Sequence, residues 1–234
     1  MSDQEVPSPL AKRRSPLESH LVFGLLLASF FSAPLTYAQG RLGELALQLF
    51  YQVLLLVTLL TTARRRWILA AGLTLLLLSI TCSFLPLFGA EGDRQLVSSL
   101  LGVGVLMIVV GLSIARMLRA QEVDARMLSG SASVFLLLGI LWSLAYNALE
   151  LRYPGSFAGL QPSGSANQWE ALGSLHYFSF TTLTTLGYGD IVPQTPMARA
   201  LTNLEAIVGQ LFLVVMVARL VALQTASASQ RARS

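Results

Sequence analysis

Six long apolar runs constrain the fold of this chain more than any other feature of its sequence. A helix that crosses a membrane needs about 20 predominantly apolar residues. Six stretches come close to that length, and they cover residues 21–38, 45–63, 67–88, 96–118, 131–149 and 198–223. Only 12% of the 234 residues are charged, whereas soluble domains contain about 25%. The sequence therefore predicts an all-α integral membrane protein with six transmembrane helices per chain.

The distribution of basic residues predicts how these helices are oriented. The Lys and Arg residues form short clusters between the apolar runs, which argues against a nucleic-acid surface. Because cytoplasmic loops carry an excess of Lys and Arg, we expect both termini in the cytoplasm of a bacterial-type plasma membrane and residues 151–170 outside. The cluster of Arg64, Arg65 and Arg66 could also bind anionic lipid headgroups, although a role in topology accounts for it.

The ends of the chain and its division into domains follow from composition. Residues 1–20 and 225–234 are rich in polar and charged residues and predict disordered cytoplasmic tails. Between them we expect a four-helix domain at residues 21–126 and a second domain at residues 127–224. The first apolar run could alternatively be a secretory signal that is cleaved after Ala38. We expect it to be retained because it is long for a signal and acidic residues precede it.

A polar stretch, TTLTTLGYGDIVP at residues 181–193, lies between the last two apolar runs. The apolar piece before it, residues 171–183, is too short to span and predicts a re-entrant helix. Non-helical backbone at membrane depth persists only where protein or water satisfies its polar groups. Gly187 and Gly189 allow positive φ angles, so successive carbonyls can turn toward one axis. The negative C-terminal end of the short helix would favour a cation there.

Five residues of this stretch resemble the selectivity filter of the potassium-channel family: Thr185, Leu186, Gly187, Tyr188 and Gly189. Leucine stands where valine or isoleucine is commoner in that family. The flanking residues Thr184, Asp190 and Pro193 match as well. The resemblance covers about residues 131–223 and implies an outer helix, a re-entrant pore helix, a filter loop and an inner helix.

The resemblance also implies a function and an assembly. Potassium would be bound by the carbonyls of Thr185, Leu186, Gly187 and Tyr188, with help from the Thr185 hydroxyl. One chain provides one loop, so a ring of carbonyls implies a homotetramer. No cofactor is implied beyond the transported ion. A less selective cation pore remains open because of Leu186, and so does a non-conducting regulatory or interaction subunit.

The same letters raise an enzymatic alternative. Residues 187–190 also spell the Gly-x-Gly-Asp motif of intramembrane aspartyl proteases. That chemistry needs two carboxyl groups that share a proton, and the other aspartates lie in the predicted tail or loops. We therefore expect a protein that is not an enzyme.

The single cysteine, Cys82, lies in an apolar run. It predicts a buried structural side chain, with no internal disulfide.

The last apolar run carries the predicted gate. At helical spacing, one stripe contains Ala206, Gln210, Leu213, Val217, Val221 and Gln224. By resemblance this stripe faces the conduction path, and Leu213, Val217 and Val221 form an apolar vestibule that can close by dewetting. Gly209 falls where the family has its inner-helix hinge.

The filter should need support from the residues around it. The expected supporting residues are Thr181, Thr182, Thr184, Asp190 and Glu205. Glu205 is the one acidic residue well inside an apolar run, so it must face protein, take a partner or stay protonated. We predict that Glu205 lies behind the pore helix and accepts hydrogen bonds from Thr181 and Thr182. The alternative is an ion pair with Arg199.

The first four predicted spans lack the charges of a voltage sensor. The fourth carries Arg116 and Arg119 at its cytoplasmic end, where long side chains snorkel to the interface. Moving charge through the membrane field supplies the energy of voltage gating, so we predict shallow voltage dependence. The glycines Gly102, Gly104 and Gly111 suit close helix packing, and we expect these spans to form a packing collar.

Overall fold

The computed structural model describes residues 22–28, 40–63, 65–84, 91–119, 125–160 and 168–231. This part of the chain is almost entirely helical, as the sequence predicted. Its elements are α1 (residues 22–28), α2 (Gly40–Thr62), α3 (Arg66–Phe84), α4 (Glu91–Arg119), α5 (Ala125–Arg152), β1 (Phe157–Ala158), α6 (Gln168–Leu183), β2 (Val192–Pro193) and α7 (Pro196–Arg231). The two strands form one antiparallel pair.

Within the described residues, three helical segments are long and apolar enough to cross a membrane. They are Gly92–Arg119 in α4, Met127–Arg152 in α5 and Pro196–Thr225 in α7. Shorter apolar helical segments, Leu49–Thr62 and Arg66–Cys82, lie at the second and third predicted spans. The first predicted span is described only at residues 22–28. The count of six spans therefore stays a prediction.

The structure describes part of the predicted C-terminal tail but none of the predicted N-terminal tail. The disorder predicted from residue 225 is wrong for residues 225–231, because α7 continues without a break to Arg231. The sequence there contains no Pro or Gly, which are the usual signals that end a helix. The predicted tail at residues 1–20 and the possible cleavage after Ala38 lie outside the described residues.

One apolar core joins the front helices α1–α4 to α5. Leu26, Leu59, Leu76, Leu106 and Ile140 are buried in it. Many hydroxyls of the front helices bond to carbonyls of their own helix, as Thr58 does with Leu54 and Ser113 with Val109, so these polar groups need no partner from another helix. Cys82 is a buried free thiol.

Helix α4 packs along α5 of the same chain. Asn147 Nδ2 on α5 donates a hydrogen bond to Ser99 Oγ on α4 at 3.0 Å, and both residues are buried. A Cβ atom on Gly102 would lie 3.0 Å from Leu144 on α5, so this glycine does permit close packing. Gly111 has open space within the single chain where its Cβ would be, so the packing role predicted for it stays a prediction.

Candidate functional site

The loop after α6 is held by hydrogen bonds from its N–H groups to the end of α6. Thr185 N donates to Thr182 O at 2.9 Å, and Leu186 N and Gly187 N both donate to Thr181 O, at 2.8 and 3.1 Å. The predicted supporting residues Thr181 and Thr182 therefore contact the loop through their backbone carbonyls. These bonds direct the N–H side of residues 185–187 toward α6.

Positive φ angles alternate along this loop. They occur at Thr185 (60°), Gly187 (54°) and Gly189 (78°), with negative φ at Leu186 and Tyr188 between them. Where left- and right-handed residues alternate, successive N–H groups lie on one side of the backbone, and the carbonyls therefore lie on the other. A β-branched residue such as Thr185 rarely adopts positive φ. Such strain persists where the surrounding structure imposes it, often at functional sites.

The carbonyl side of the loop is open in the single chain. Residues 184–190 are exposed, whereas Thr181 and Leu183 just before them are buried. Within the described part of the chain, the carbonyls of residues 185–188 accept no hydrogen bond from a protein donor. The Tyr188 ring stacks on Tyr177 of α6 with centroids 6.4 Å apart. The loop thus offers a row of free carbonyl oxygens on the side away from α6.

The outer end of the loop is held by a segment that sequence reasoning missed. We call residues 155–159 the outer strap. In it, β1 pairs with β2, so that Phe157 lies opposite Pro193. Gly159 has a φ of +86°, and a Cβ atom there would lie 1.9 Å from the carbonyl oxygen of Asp190. Glycine is therefore required at position 159, next to the last residue of the TLGYGD motif.

Glu150 at the end of α5 fixes the start of the outer strap. Its carboxylate oxygens accept hydrogen bonds from Gly155 N at 2.7 Å and from Phe157 N at 3.1 Å. Gln194 N, just after β2, donates to Ser156 O at 2.8 Å. In the sequence, the only feature that could have marked Glu150 as a structural residue is its position as an acidic side chain at the end of an apolar run. Its two partners depend on the turn that follows and could not be identified from sequence.

Glu205 lies on the opposite side of α6 from the loop carbonyls. It is fully buried, and its Oε1 atom lies 2.5 Å from Ser179 Oγ on α6. Tyr146 on α5, also fully buried, donates its hydroxyl to Glu205 Oε2 at 2.5 Å. The donors predicted from sequence were wrong, because the side chains that reach Glu205 are those of Ser179 and Tyr146.

Thr181 and Arg199, two of the residues named as possible partners of Glu205, are engaged elsewhere, and so is the neighbouring Thr184. Thr181 Oγ1 donates to Phe178 O at 2.9 Å, and Thr184 Oγ1 donates to Phe180 O at 2.6 Å, so both hydroxyls bond to α6 itself. Arg199 is exposed and its Nε donates to Pro193 O at 3.2 Å. The alternative ion pair between Arg199 and Glu205 is therefore absent from the described contacts.

Gly209 lies one helical turn after Glu205 and contacts the end of α6. A Cβ atom there would lie 2.8 Å from both Leu183 Cδ1 and Leu183 O. The structure therefore gives this glycine a packing role, because it allows α7 to approach the residue that precedes the loop. Helix α7 is continuous through this position, and a hinge at Gly209 stays a prediction.

The face of α7 that points away from Glu205 and Gly209 is apolar and uncovered in the single chain. The predicted lining residues are exposed, with 39% of Leu213, 59% of Val217 and 54% of Val221 accessible, and Gln210 lies on the same exposed side. Further exposed apolar residues of α7 are Leu204, Ile207, Leu211, Val214 and Val215. A contiguous apolar surface of this extent marks a contact with other protein or with membrane.

A comparison with known protein families matches the part of the chain that contains this site. A family model described as "Ion channel" matches residues 134–225, from α5 to α7. This part of the chain, called the channel domain below, is therefore similar to an ion channel domain, and it contains the loop, the outer strap and Glu205. The chain has no match among curated proteins.

Proposed function

We propose that four copies of this chain form a potassium-selective channel that conducts K⁺ passively across the plasma membrane. The observation that carries the proposal is the loop at residues 185–189, with alternating positive φ angles and carbonyls that all face away from α6. Carbonyl oxygens in such a row can replace the hydration shell of a dehydrated cation. The ligands would be the carbonyls of Thr185, Leu186, Gly187 and Tyr188, with the Thr185 hydroxyl.

The need for several copies follows from the single chain. One row of carbonyls lines one side of a path and cannot surround an ion. The exposed apolar face of α7 and the exposed ring of Tyr188 would be covered where copies meet around a common axis. The stripe of Gln210, Leu213, Val217 and Val221 would then line the path on the cytoplasmic side of the loop. Its apolar part is suited to close by dewetting.

The orientation in the membrane is part of the proposal. An excess of basic residues on one side supports cytoplasmic termini. The outer strap and Asp190 then face the outside, and the C-terminal end of α7 faces the cytoplasm. The basic residues after α2 would lie at the cytoplasmic surface, where they could contact anionic headgroups.

Ion flux into liposomes that contain the purified protein tests the proposal. We expect K⁺ flux far above Na⁺ flux, and a tetramer by native mass spectrometry. Equal K⁺ and Na⁺ flux would instead make the protein a less selective cation channel, the alternative that Leu186 raises. A tetramer without flux would make it a non-conducting subunit, and a stable monomer in lipid would contradict the assembly.

A variant of the loop provides the control. Gly187 has positive φ but open space around its missing Cβ in the single chain. Gly187→Ala therefore strains the backbone at this position without a clash inside the chain. We expect it to assemble and to lose K⁺ flux, and a fully conducting, selective Gly187→Ala would contradict the role given to this backbone.

A further inference from the structure

We infer that Glu205 is held as a neutral carboxylic acid that links α5, α6 and α7 and thereby positions the end of α6 behind the filter loop. The link itself is independent of what the protein conducts. Its consequence for ion selectivity rests on the proposed function. The two parts are therefore tested by different measurements.

The protonation state follows from counting hydrogens. Ser179 Oγ lies 2.5 Å from Glu205 Oε1 and 2.8 Å from Gly139 O on α5. A serine hydroxyl carries one hydrogen, and a backbone carbonyl can only accept. If Glu205 were ionised, two acceptors would compete for that single hydrogen. If Glu205 is protonated on Oε1, it donates to Ser179 Oγ, and Ser179 donates to Gly139 O.

The second oxygen completes the same arrangement. Oε2 of the neutral acid accepts the hydroxyl hydrogen of Tyr146, so each of the short contacts has one donor and one acceptor. Glu205 is fully buried, and the described residues give it no basic partner. An ionised carboxylate buried without a basic partner costs several kcal/mol. The neutral form satisfies every atom of the cluster at no such cost.

Gly139 on α5 makes room for this cluster. A Cβ atom on Gly139 would lie 2.3 Å from the Phe180 ring, so the glycine lets α6 come close to α5. That approach brings Ser179 within reach of the Gly139 carbonyl. Tyr146 is fixed by contacts of its ring with Phe157 and Phe178, whose centroids lie 5.2 and 5.4 Å away. The donors are thus held in position by packing.

The cluster acts on the loop through α6. Glu205 and Gly209 are one turn apart on α7, and they contact Ser179 and Leu183, which are one turn apart on α6. This double contact fixes the last turn of α6 against α7. The same turn provides the Thr181 and Thr182 carbonyls that accept from residues 185–187. Glu205 is therefore a positioning residue for the loop, and it does not touch the ion path.

Infrared spectroscopy of the reconstituted protein tests the protonation state. We expect the carbonyl stretching band of a protonated carboxylic acid at neutral pH, and its loss in Glu205→Gln. Glu150→Gln is the matched control, because Glu150 accepts two N–H bonds at the outer strap as a carboxylate and should not contribute to this band. A wild-type spectrum that equals that of Glu205→Gln in this region would overturn the neutral acid whether or not the protein conducts.

Selectivity measurements test the positioning role. Glutamine can donate to Ser179 and accept from Tyr146, so Glu205→Gln should keep the wild-type K⁺/Na⁺ permeability ratio. Glu205→Ala removes the hydrogen bonds with both Ser179 and Tyr146, so it should lower the ratio at least about fivefold, the factor expected from losing only one of them. Tyr146→Phe removes one donor and keeps the packed ring, so it remains informative if Glu205→Ala fails to fold. Wild-type selectivity in both Glu205→Ala and Tyr146→Phe would overturn the role and leave the channel proposal intact.

Discussion

The front helices α1–α4 and the channel domain at residues 134–225 are held together in different ways. In the front helices, hydroxyls such as those of Thr58 and Ser113 bond to their own helix, and a large apolar core joins the helices. Polar contacts between these helices also occur, because Ser79 on α3 contacts Ser98 on α4 at 3.0 Å and accepts from Gln52 on α2 at 3.3 Å. In the channel domain, buried polar groups join different elements, as Glu205 joins Tyr146 on α5 to Ser179 on α6. Apolar packing tolerates changes of shape that conserve volume. A strained loop needs partners at fixed positions.

The glycines show the same difference. Gly139, Gly159 and Gly209 in the channel domain lie against other elements so closely that a Cβ atom would clash. On α4, Gly111 has open space and Gly104 would make an ordinary contact at 3.8 Å. The contrast is not absolute, because a Cβ atom on Gly72 of α3 would lie 2.5 Å from Leu59 of α2, and Gly102 on α4 closely approaches α5. The channel domain thus depends on close backbone approach at more positions, and substitutions there should cost more.

The largest expected effect comes from Gly159→Ala. The added Cβ would lie 1.9 Å from Asp190 O, so the outer strap must move, at a cost on the order of 3 kcal/mol. We expect loss of the assembled protein or of its K⁺ flux. Gly155→Ala is the matched control, because Gly155 has nearly the same φ, +84°, with open space around it, and should cost only about 1 kcal/mol. Equal effects of the two substitutions would show that crowding at Asp190 is unimportant.

A smaller effect is expected from Gly209→Ala. Alanine favours a helix over glycine by about 1 kcal/mol, but here the Cβ meets Leu183 at 2.8 Å, so thermal unfolding should occur at lower temperature. Gly111→Ala on α4 has no clash and should raise the unfolding temperature. If Gly209 were only a hinge, Gly209→Ala would raise the unfolding temperature, as Gly111→Ala should. Its effect on function would then be limited to gating.

Glu150→Ala should have a moderate effect confined to the outer strap. The substitution removes the acceptors of Gly155 N and Phe157 N, at a cost of about 1–2 kcal/mol. We expect faster hydrogen exchange at these two amides and unchanged exchange in α3. Glu150→Gln keeps one carbonyl oxygen and should fall between wild type and Glu150→Ala. Unchanged exchange at both amides in Glu150→Ala would contradict the contact.

The smallest effect concerns a polar contact between the two regions. Arg219 of α7 donates from Nε to Met117 O at 3.0 Å and from an Nη atom to Leu118 O at 2.6 Å, at the C-terminal end of α4. A basic group at this end of a helix stabilises it by about 0.3–1 kcal/mol. Arg219→Gln should therefore speed hydrogen exchange in the last turn of α4.

Arg116→Gln is the control for that contact. Arg116 donates to Ser113 within α4 itself, so its loss should leave the exchange at residues 117–119 closer to wild type. If both variants accelerate exchange equally, Arg219 does not tie α7 to α4. If only Arg219→Gln accelerates exchange, the front helices are coupled to the C-terminal half of α7 through Arg219. This coupling would exist although α4 carries no series of sensor charges.

The sequence by itself determined most of the described helical segments and the position of the candidate loop between α6 and β2. Apolar runs dictate buried or membrane helices locally, since each run must satisfy its own backbone hydrogen bonds. The short polar stretch at residues 181–193 and its glycines were likewise visible without a structure. The end of α7 was misjudged, because polar composition alone does not stop a helix that contains no Pro or Gly there.

Only the tertiary structure decided which side chains meet. Glu205 and Tyr146 are 59 residues apart, and Arg219 and Met117 are 102 apart. Partners at such separations depend on how the helices pack and rotate, which is not encoded in any local pattern. The sequence therefore marked Glu205 as a buried carboxyl in need of a partner, but suggested the threonines of α6. The structure instead brings Ser179 and Tyr146 to Glu205. Gly139 leaves room for the Phe180 ring, which would lie 2.3 Å from a Cβ atom there, and so lets Ser179 reach the Gly139 carbonyl.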